Sequence, residues 1–228
     1  MENKTINIGV VAKVAEALKE LKKSMVFVGG AVVSLYTDDV AADEIRPTAD
    51  IDMTVNLMHF SHWANLQEQL ASLGFYPDPF GPSMCRYKYK DIPVDIIPSE
   101  DSAIGPTNKW YQVGFKNLQT VKVKNEEIQI LPAPCFLATK FEAFNDRGDD
   151  YRISHDIEDI VYVLDNRINI VKEIKEAPEE IKIFLQTSLS KIKSAGLLSE
   201  VLISHIHPIM IDDRLSLVEE KINEILSL

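Results

Sequence analysis

Residues 25–57, MVFVGGAVVSLYTDDVAADEIRPTADIDMTVNL, decide the fold. Met25-Val26-Phe27-Val28 is a short apolar run, the pattern of a buried strand. Gly29-Gly30 break it, because glycine enters turn conformations that other residues reach only with strain. Ala31 to Tyr36 restart as a helix. Residues 38–49 are polar, punctuated by Pro47, and read as a loop. Ile51 to Leu57 is a second strand, opened by Asp50-Ile51-Asp52. Side chains alternate across a strand, so Ile51 faces the core and the two carboxylates share the other face.

Upstream, residues 9–23 carry apolar side chains at helical spacing and end in lysines, which suit a helix C-terminus. Downstream, residues 61–72 read as a helix with Gly74 beyond its end. Arg86, Lys88 and Lys90 alternate with Tyr87 and Tyr89, the period of a strand. Residues 92–97 form the next strand, followed by β-like pieces at 120–123 and 127–131. Pro132 and Pro134 mark a change of class. From Ala133 onward the pattern is helical, over residues 134–147, 155–167, 169–195 in two pieces, 197–205 and 212–227. The plan is α/β (α+β): a small mixed-sheet domain over residues 1–131, then a helical domain over 132–228.

The composition suits a globular protein, with 228 residues, 46% hydrophobic and 26% charged. No apolar run reaches the ~18–20 residues that span a bilayer, and no secretory signal opens the chain. Cys85 and Cys135 lack metal-ligand spacing and read as reduced thiols of a cytoplasmic protein. The net charge of −11 is spread evenly: residues 1–114 hold 10 basic and 15 acidic side chains, the remainder 14 and 20. Binding of nucleic acid through bulk charge is therefore disfavoured.

Several residues carry chemistry. A strand running into a glycine pair offers backbone N–H groups to a phosphate, and Ser34 stands one turn on; Gly29-Gly30 alone is equally a tight strand-to-helix turn. Asp50 and Asp52 repel each other unless a cation offsets them, and a divalent metal is the economical one. Asp95, in the apolar run Val94-Asp95-Ile96-Ile97, is either a strand-end salt bridge to Arg86 or Lys88 or a third metal ligand. Lys140 lies in an apolar helix and is either a snorkelling lysine or a phosphate contact. Asp156 and Asp159 share a helix face and are either an acidic first turn favoured by the helix dipole, with Ser154 as the cap, or contacts to the nucleotide, Lys140 or Arg147. Arg46 is placed to pair with the acidic cluster or to reach phosphate. The Arg86/Lys88/Lys90 stripe reads as a solvated strand face, and as the best contact for a polyanionic acceptor. His59, His62, His205 and His207 read as surface or capping residues, and Trp63 and Trp110 as core or pocket wall.

The pattern GG-AVVS at 29–34, RPTADID at 46–52 and VDII at 94–97 resembles the nucleotidyltransferase superfamily, the DNA-polymerase-beta-like fold. LPAPCFLATKFEAFNDRG at 131–148 and SHDIEDI at 154–160 resemble the AbiEii-type bacterial members. The likeness covers residues 25–167. It implies that Gly29, Gly30 and Ser34 hold the triphosphate of an incoming NTP, with Lys140 and Asp159 as further nucleotide contacts. It implies that Asp50, Asp52 and Asp95 bind Mg²⁺ (or Mn²⁺), with Asp95 helping to deprotonate the acceptor hydroxyl. The implied reaction moves an NMP to RNA such as tRNA, to a small molecule such as an aminoglycoside, or to a protein, and releases pyrophosphate. An antitoxin partner belongs to the same expectation. The alternative is a catalytically inactive nucleotide-binding or protein-interaction module, for example within a toxin–antitoxin pair. Two features depart from the family: Gly-Gly replaces the commoner Gly-Ser, and the loop after Ser34 is long and acidic, with Asp38, Asp39, Asp43 and Glu44.

Overall fold

The structure, a computed structural model, describes residues 8–39, 42, 46–56, 60–100 and 107–228. It has the α/β (α+β) class expected, a mixed seven-stranded sheet with its helices followed by an all-helical region. The chain forms two compact units, residues 1–35 with 45–132 and residues 36–44 with 133–228.

In the first unit the strands are β1 (Met25–Val28), β2 (Ile51–Val55), β3 (Phe75–Pro77), β4 (Arg86–Tyr89), β5 (Ile92–Pro98), β6 (Gln119–Val123) and β7 (Glu126–Ile130). Their order in the sheet is β3-β4-β5-β2-β1-β7-β6. β1 pairs antiparallel with β2 and parallel with β7, while β2 and β5 run parallel. All four β1 side chains are buried, as a strand with neighbours on both edges and cover on both faces requires. Each contributes roughly 1.5–3 kcal/mol by leaving water. Helix α1 (Ile8–Leu18) packs on β6 and β7 through a buried stripe of Val11, Val14, Ala15 and Leu18. Helix α2 (Phe60–Ser72) lies against β3.

Four elements differ from the sequence expectation. The first helix stops at Leu18; Lys19–Ser24 form a 3₁₀ turn with no buried side chain, entered through Lys19 at φ 51°. The polar KELKKS stretch offers no apolar face to prolong an α-helix against the sheet. Gly30–Tyr36 is also 3₁₀ rather than α, with Val33 and Tyr36 stacked i to i+3 and both fully buried. Strand β3 and helix α3 (Trp110–Phe115) went unforeseen, because three and six residues are too short to establish a period.

The second unit holds α4 (Ala133–Arg147), α5 (His155–Asn166), α6 (Ile170–Glu176), α7 (Glu179–Ser194), α8 (Leu198–His205) and α9 (Ile211–Leu226). α4 is its axis, buried continuously from Ala133 to Phe141 and packed by α5, α6 and α7. α6 and α7 are separated at Ala177-Pro178, where the residue before proline is held extended at ψ 161°. The acidic segment after Tyr36 is tied down within this unit. Tyr36 stacks on Phe136 at 4.3 Å. The Asp38 and Asp39 amides both donate to the Asn166 carbonyl at 3.2 Å. Asp38 Oδ1 accepts from the Ile168 amide at 2.7 Å, and Asp39 pairs with Arg214 at 2.5 Å. Asp38 and Asp39, half of the acidic set that set this loop apart in sequence, thus serve as anchors; Asp43 and Glu44 lie outside the described residues.

Both cysteines are free thiols. Burial pushes the Cys135 thiol up to about 12. Because the thiolate is the reactive form, Cys135 of the native protein is expected to resist alkylation at pH 8 and to react only on unfolding. Mass mapping of iodoacetamide adducts with and without urea checks this.

Candidate active site

The parallel register of β2 and β5 places Asp52 directly beside Asp95. Asp50 immediately precedes β2, and Ile51 between the two aspartates is fully buried, so both carboxylates emerge on the other face. One carboxylate oxygen from each of Asp50, Asp52 and Asp95 lies within 4.8 Å of the other two. Among the described residues no other group of three or more His, Cys, Asp or Glu side chains converges in this way. The side chains of Asp50 and Asp95 are 26% and 14% exposed, accessible yet partly withdrawn from water.

β4 brings a cation to these acids. Arg86 faces Asp95 in the antiparallel β4–β5 pairing. Its Nε donates to Asp95 Oδ1 at 2.5 Å, and its Nη2 donates to Asp95 Oδ2 at 2.8 Å and Asp50 Oδ2 at 2.7 Å. Burial opposes the guanidinium's charge, but Asp95 and Asp50 outweigh it and raise its pKa above the ordinary arginine value. This corrects the reading of a solvated face at Arg86, whereas Lys88 and Lys90 are exposed as that reading expects. Arg86 is only 12% exposed, Lys88 pairs with Asp78 at 2.8 Å, and Lys90 sits at φ 56° in the turn with its amine 5.2 Å from the Tyr89 ring centroid. The physical reason is the neighbouring strand: β5 presents a carboxylate at the register position of Arg86.

The two glycines differ. Gly29 follows Val28, whose β1–β2 partner is Asp52, and takes φ +72°. A β-carbon there would stand 2.0 Å from Asp52 Oδ2, so Gly29 makes the room that Asp52 occupies. At Gly30 a β-carbon would meet only Thr48 Oγ1 at 3.5 Å and Arg46 Nη2 at 3.8 Å, both ordinary contacts. The Arg46 guanidinium therefore lies against the second glycine. Ser34 is exposed in the 3₁₀ segment that follows.

Three carboxylates without nitrogen or sulfur donors form a hard oxygen set of the kind that Mg²⁺ and Mn²⁺ prefer. The Arg86 guanidinium, held jointly by Asp50 and Asp95, is a stand-in that shows two of the acids already sharing one cation. The donor set fits a divalent metal.

In the helical unit, Lys140 and Asp159 are also brought together. The Lys140 ammonium lies 2.6 Å from Asp159 Oδ2 and 3.4 Å from Asp156 Oδ1, and Arg147 pairs with Asp156 Oδ2. Ser154 caps α5, accepting from the Asp156 amide at 3.3 Å. The Lys140, Asp156 and Asp159 side chains are 10%, 3% and 2% exposed. Breaking a buried ion-pair network from one side leaves an uncompensated charge, so Lys140→Met is expected to destabilise the protein by about 3 kcal/mol. Urea denaturation followed by circular dichroism measures it, and Lys140→Arg should recover part of the loss.

Among the described residues the histidines join no group of three or more metal-ligating side chains. His205 Nε2 is 2.7 Å from the Tyr151 carbonyl, His207 Nδ1 accepts from the Ile209 amide, and His62 is exposed. His59 lies outside the described residues. Trp63 and Trp110 are buried. Sequence reasoning anticipated Arg86 as one of two partners for Asp95 and missed its reach to Asp50; strand alternation opposite an aspartate was the available signal.

Two solved structures share this architecture. One is an antigenic nucleotidyltransferase-like protein from Paracoccidioides brasiliensis, 19% identical over 87% of this chain and 93% of that one, with a TM-score of 0.54. The other is the antibiotic-resistance factor ANT(2'')-Ia, 12% identical over 83% of this chain and 94% of that one, with a TM-score of 0.50. At these identities the likeness establishes a nucleotidyltransferase-like fold. No protein-family model and no curated protein matches the sequence.

Proposed function

We propose that this protein is a divalent-metal-dependent nucleotidyltransferase that moves an NMP from an NTP to an acceptor hydroxyl. The observation that carries the reading is the convergence of Asp50, Asp52 and Asp95 on two adjacent strands of a nucleotidyltransferase-like fold. Asp50, Asp52 and Asp95 hold Mg²⁺ or Mn²⁺, which supplies charge neutralisation at the attacking and leaving oxygens. The Gly29–Gly30 turn, with Ser34 beyond it and Arg46 beside it, binds the triphosphate through backbone N–H groups and a guanidinium. Asp95 accepts the acceptor hydroxyl's proton; the new bond joins that oxygen to the α-phosphorus, and the bond to the bridging oxygen breaks to release pyrophosphate. The resemblance alone carries the further proposal that Lys140 and Asp159 contact the nucleotide, and the same holds for an antitoxin partner.

A small-molecule acceptor is favoured over RNA. The net charge is −11, and in the basic stripe of β4 Arg86 is committed to Asp50 and Asp95. Aminoglycosides, the small-molecule class named with the sequence resemblance, are the first acceptors to try, in keeping with a fold neighbour that is an antibiotic-resistance factor. The second reading, a nucleotide-binding module without turnover, draws on Arg86 as well, since that guanidinium relieves the carboxylate repulsion without any metal.

The test incubates the protein with each α-labelled NTP, Mg²⁺, and a panel of aminoglycosides and RNAs, following labelled acceptor and pyrophosphate. A labelled acceptor with stoichiometric pyrophosphate supports transfer. NTP binding with no labelled acceptor and no pyrophosphate across the panel supports the binding module.

A further inference from the structure

We infer that Arg86 is an internal counter-cation that competes with divalent metal for Asp50 and Asp95 and so keeps the site's affinity for free metal low. The inference rests on the metal site proposed above and concerns how that site is loaded. Arg86 engages both oxygens of Asp95 and one of Asp50. An ion bridging these carboxylates therefore meets a cation already hydrogen-bonded to them, and must either displace it or sit beside it at an electrostatic cost.

The guanidinium is held in place from behind. A β-carbon at Gly81 would stand 2.5 Å from Arg86 Cγ, so the turn before β4 closes directly on the arginine stem. The Arg86 carbonyl accepts from the Asp78 amide at 2.8 Å, and the Arg86 amide donates to the Ser83 carbonyl at 3.2 Å. Asp78 in turn takes Lys88, the next residue on the same face of β4, away from the cluster. The residues from Asp78 to Lys88 thus deliver a single guanidinium to the acids.

The Arg86 guanidinium offsets one of the carboxylate charges, so a bare divalent ion finds less negative charge than the acids alone would offer. An ion that arrives with further anionic groups meets less of this cost, and the NTP's own phosphates are such groups. Arg86 therefore biases the site toward metal that enters with a polyphosphate. It is a positioning residue, acting through Asp50 and Asp95.

The experiment titrates Mn²⁺ into the full chain without nucleotide, reading free Mn²⁺ by electron paramagnetic resonance, for wild type, Arg86→Gln, Arg86→Lys and Asp52→Asn. Removing a unit charge within ~4 Å of a divalent ion at a partly hydrated site should tighten binding by about tenfold or more in Arg86→Gln. Arg86→Lys, a point charge unable to span both carboxylates, should fall between Arg86→Gln and wild type. Asp52→Asn should weaken binding and so place the ion at this cluster. Equal or weaker Mn²⁺ affinity in Arg86→Gln overturns the inference while leaving the metal site standing; if Arg86→Gln does not fold, Arg86→Lys decides on the same criterion. Absence of Mn²⁺ binding in every protein, or tightening that Asp52→Asn does not affect, overturns the inference and the metal site together.

Discussion

Asp95→Asn is expected to lower nucleotidyl transfer by a factor on the order of 10³, the kinetic equivalent of the several kcal/mol that a metal ligand and proton acceptor supply in the transition state. The substitution is close to isosteric, so the fold has little reason to respond. Arg86 keeps its 2.7 Å bond to Asp50, and the asparagine oxygen still accepts one of the two bonds that Asp95 received, while the other is lost because the amide nitrogen cannot accept it. What disappears is the negative charge opposite Asp52 in the β2–β5 register and the group proposed to take the acceptor proton. The expected signature is therefore a large loss of kcat with a melting temperature near wild type. A comparable loss of melting temperature would mean that Asp95 acts through stability. Unchanged transfer would remove it from the chemistry.

Gly29→Ala is expected to cost nearly as much activity by a different route. The new methyl would stand 2.0 Å from Asp52 Oδ2 and 2.8 Å from Asp52 Cγ, distances no packed structure sustains. Rotation of Asp52 relieves those two contacts, but its Cβ, 2.9 Å from the new methyl, moves only with the backbone, so the carboxylate swings away and β1 and β2 shift apart as well. The positive φ of 72° adds roughly 1–2 kcal/mol of backbone strain for any residue with a β-carbon. Displacing one of three ligands should weaken Mn²⁺ binding and transfer by about 10²-fold, since one well-placed electrostatic group is worth 10²–10³. Gly30→Ala is the informative contrast. Its methyl meets Thr48 and Arg46 only at van der Waals distance, so Asp52 stays in place and Mn²⁺ affinity is held. Mn²⁺ titration of both variants separates a glycine that makes room for a proposed metal ligand from one proposed to bind the nucleotide.

Much of this was legible in the sequence because it is local. Asp50-Ile51-Asp52 declares its geometry through alternation, and Met25 to Val28 declares burial through apolar content. The class change at Pro132–Pro134 is read from punctuation. Strand order is a different matter. Nothing in the chain between Asp52 and Asp95 states that β5 is the parallel neighbour of β2, so the residues alone left Asp95 between a salt bridge and a third metal ligand, and the resemblance favoured the second. The tertiary destinations of long polar side chains were the least legible. Arg86, Lys88 and Lys90 have one sequence pattern and three fates, decided by whether β5, Asp78 or Tyr89 stands nearby. Asp38 and Asp39 looked like a solvated loop, yet they anchor to the end of α5 and to Arg214, residues more than a hundred positions away. Gly29 was read as a phosphate-binding glycine, and its closest relation is to the carboxylate of Asp52.

Calorimetric titration with each of the four NTPs, with and without Mg²⁺, on wild type and the Asp50→Ala/Asp52→Ala double variant tests the central claim most directly. The proposed site predicts that at least one NTP binds wild type only when Mg²⁺ is present, and that the double variant loses this binding while remaining folded. Binding that ignores both Mg²⁺ and the two aspartates, or no binding of any NTP under either condition, would contradict it.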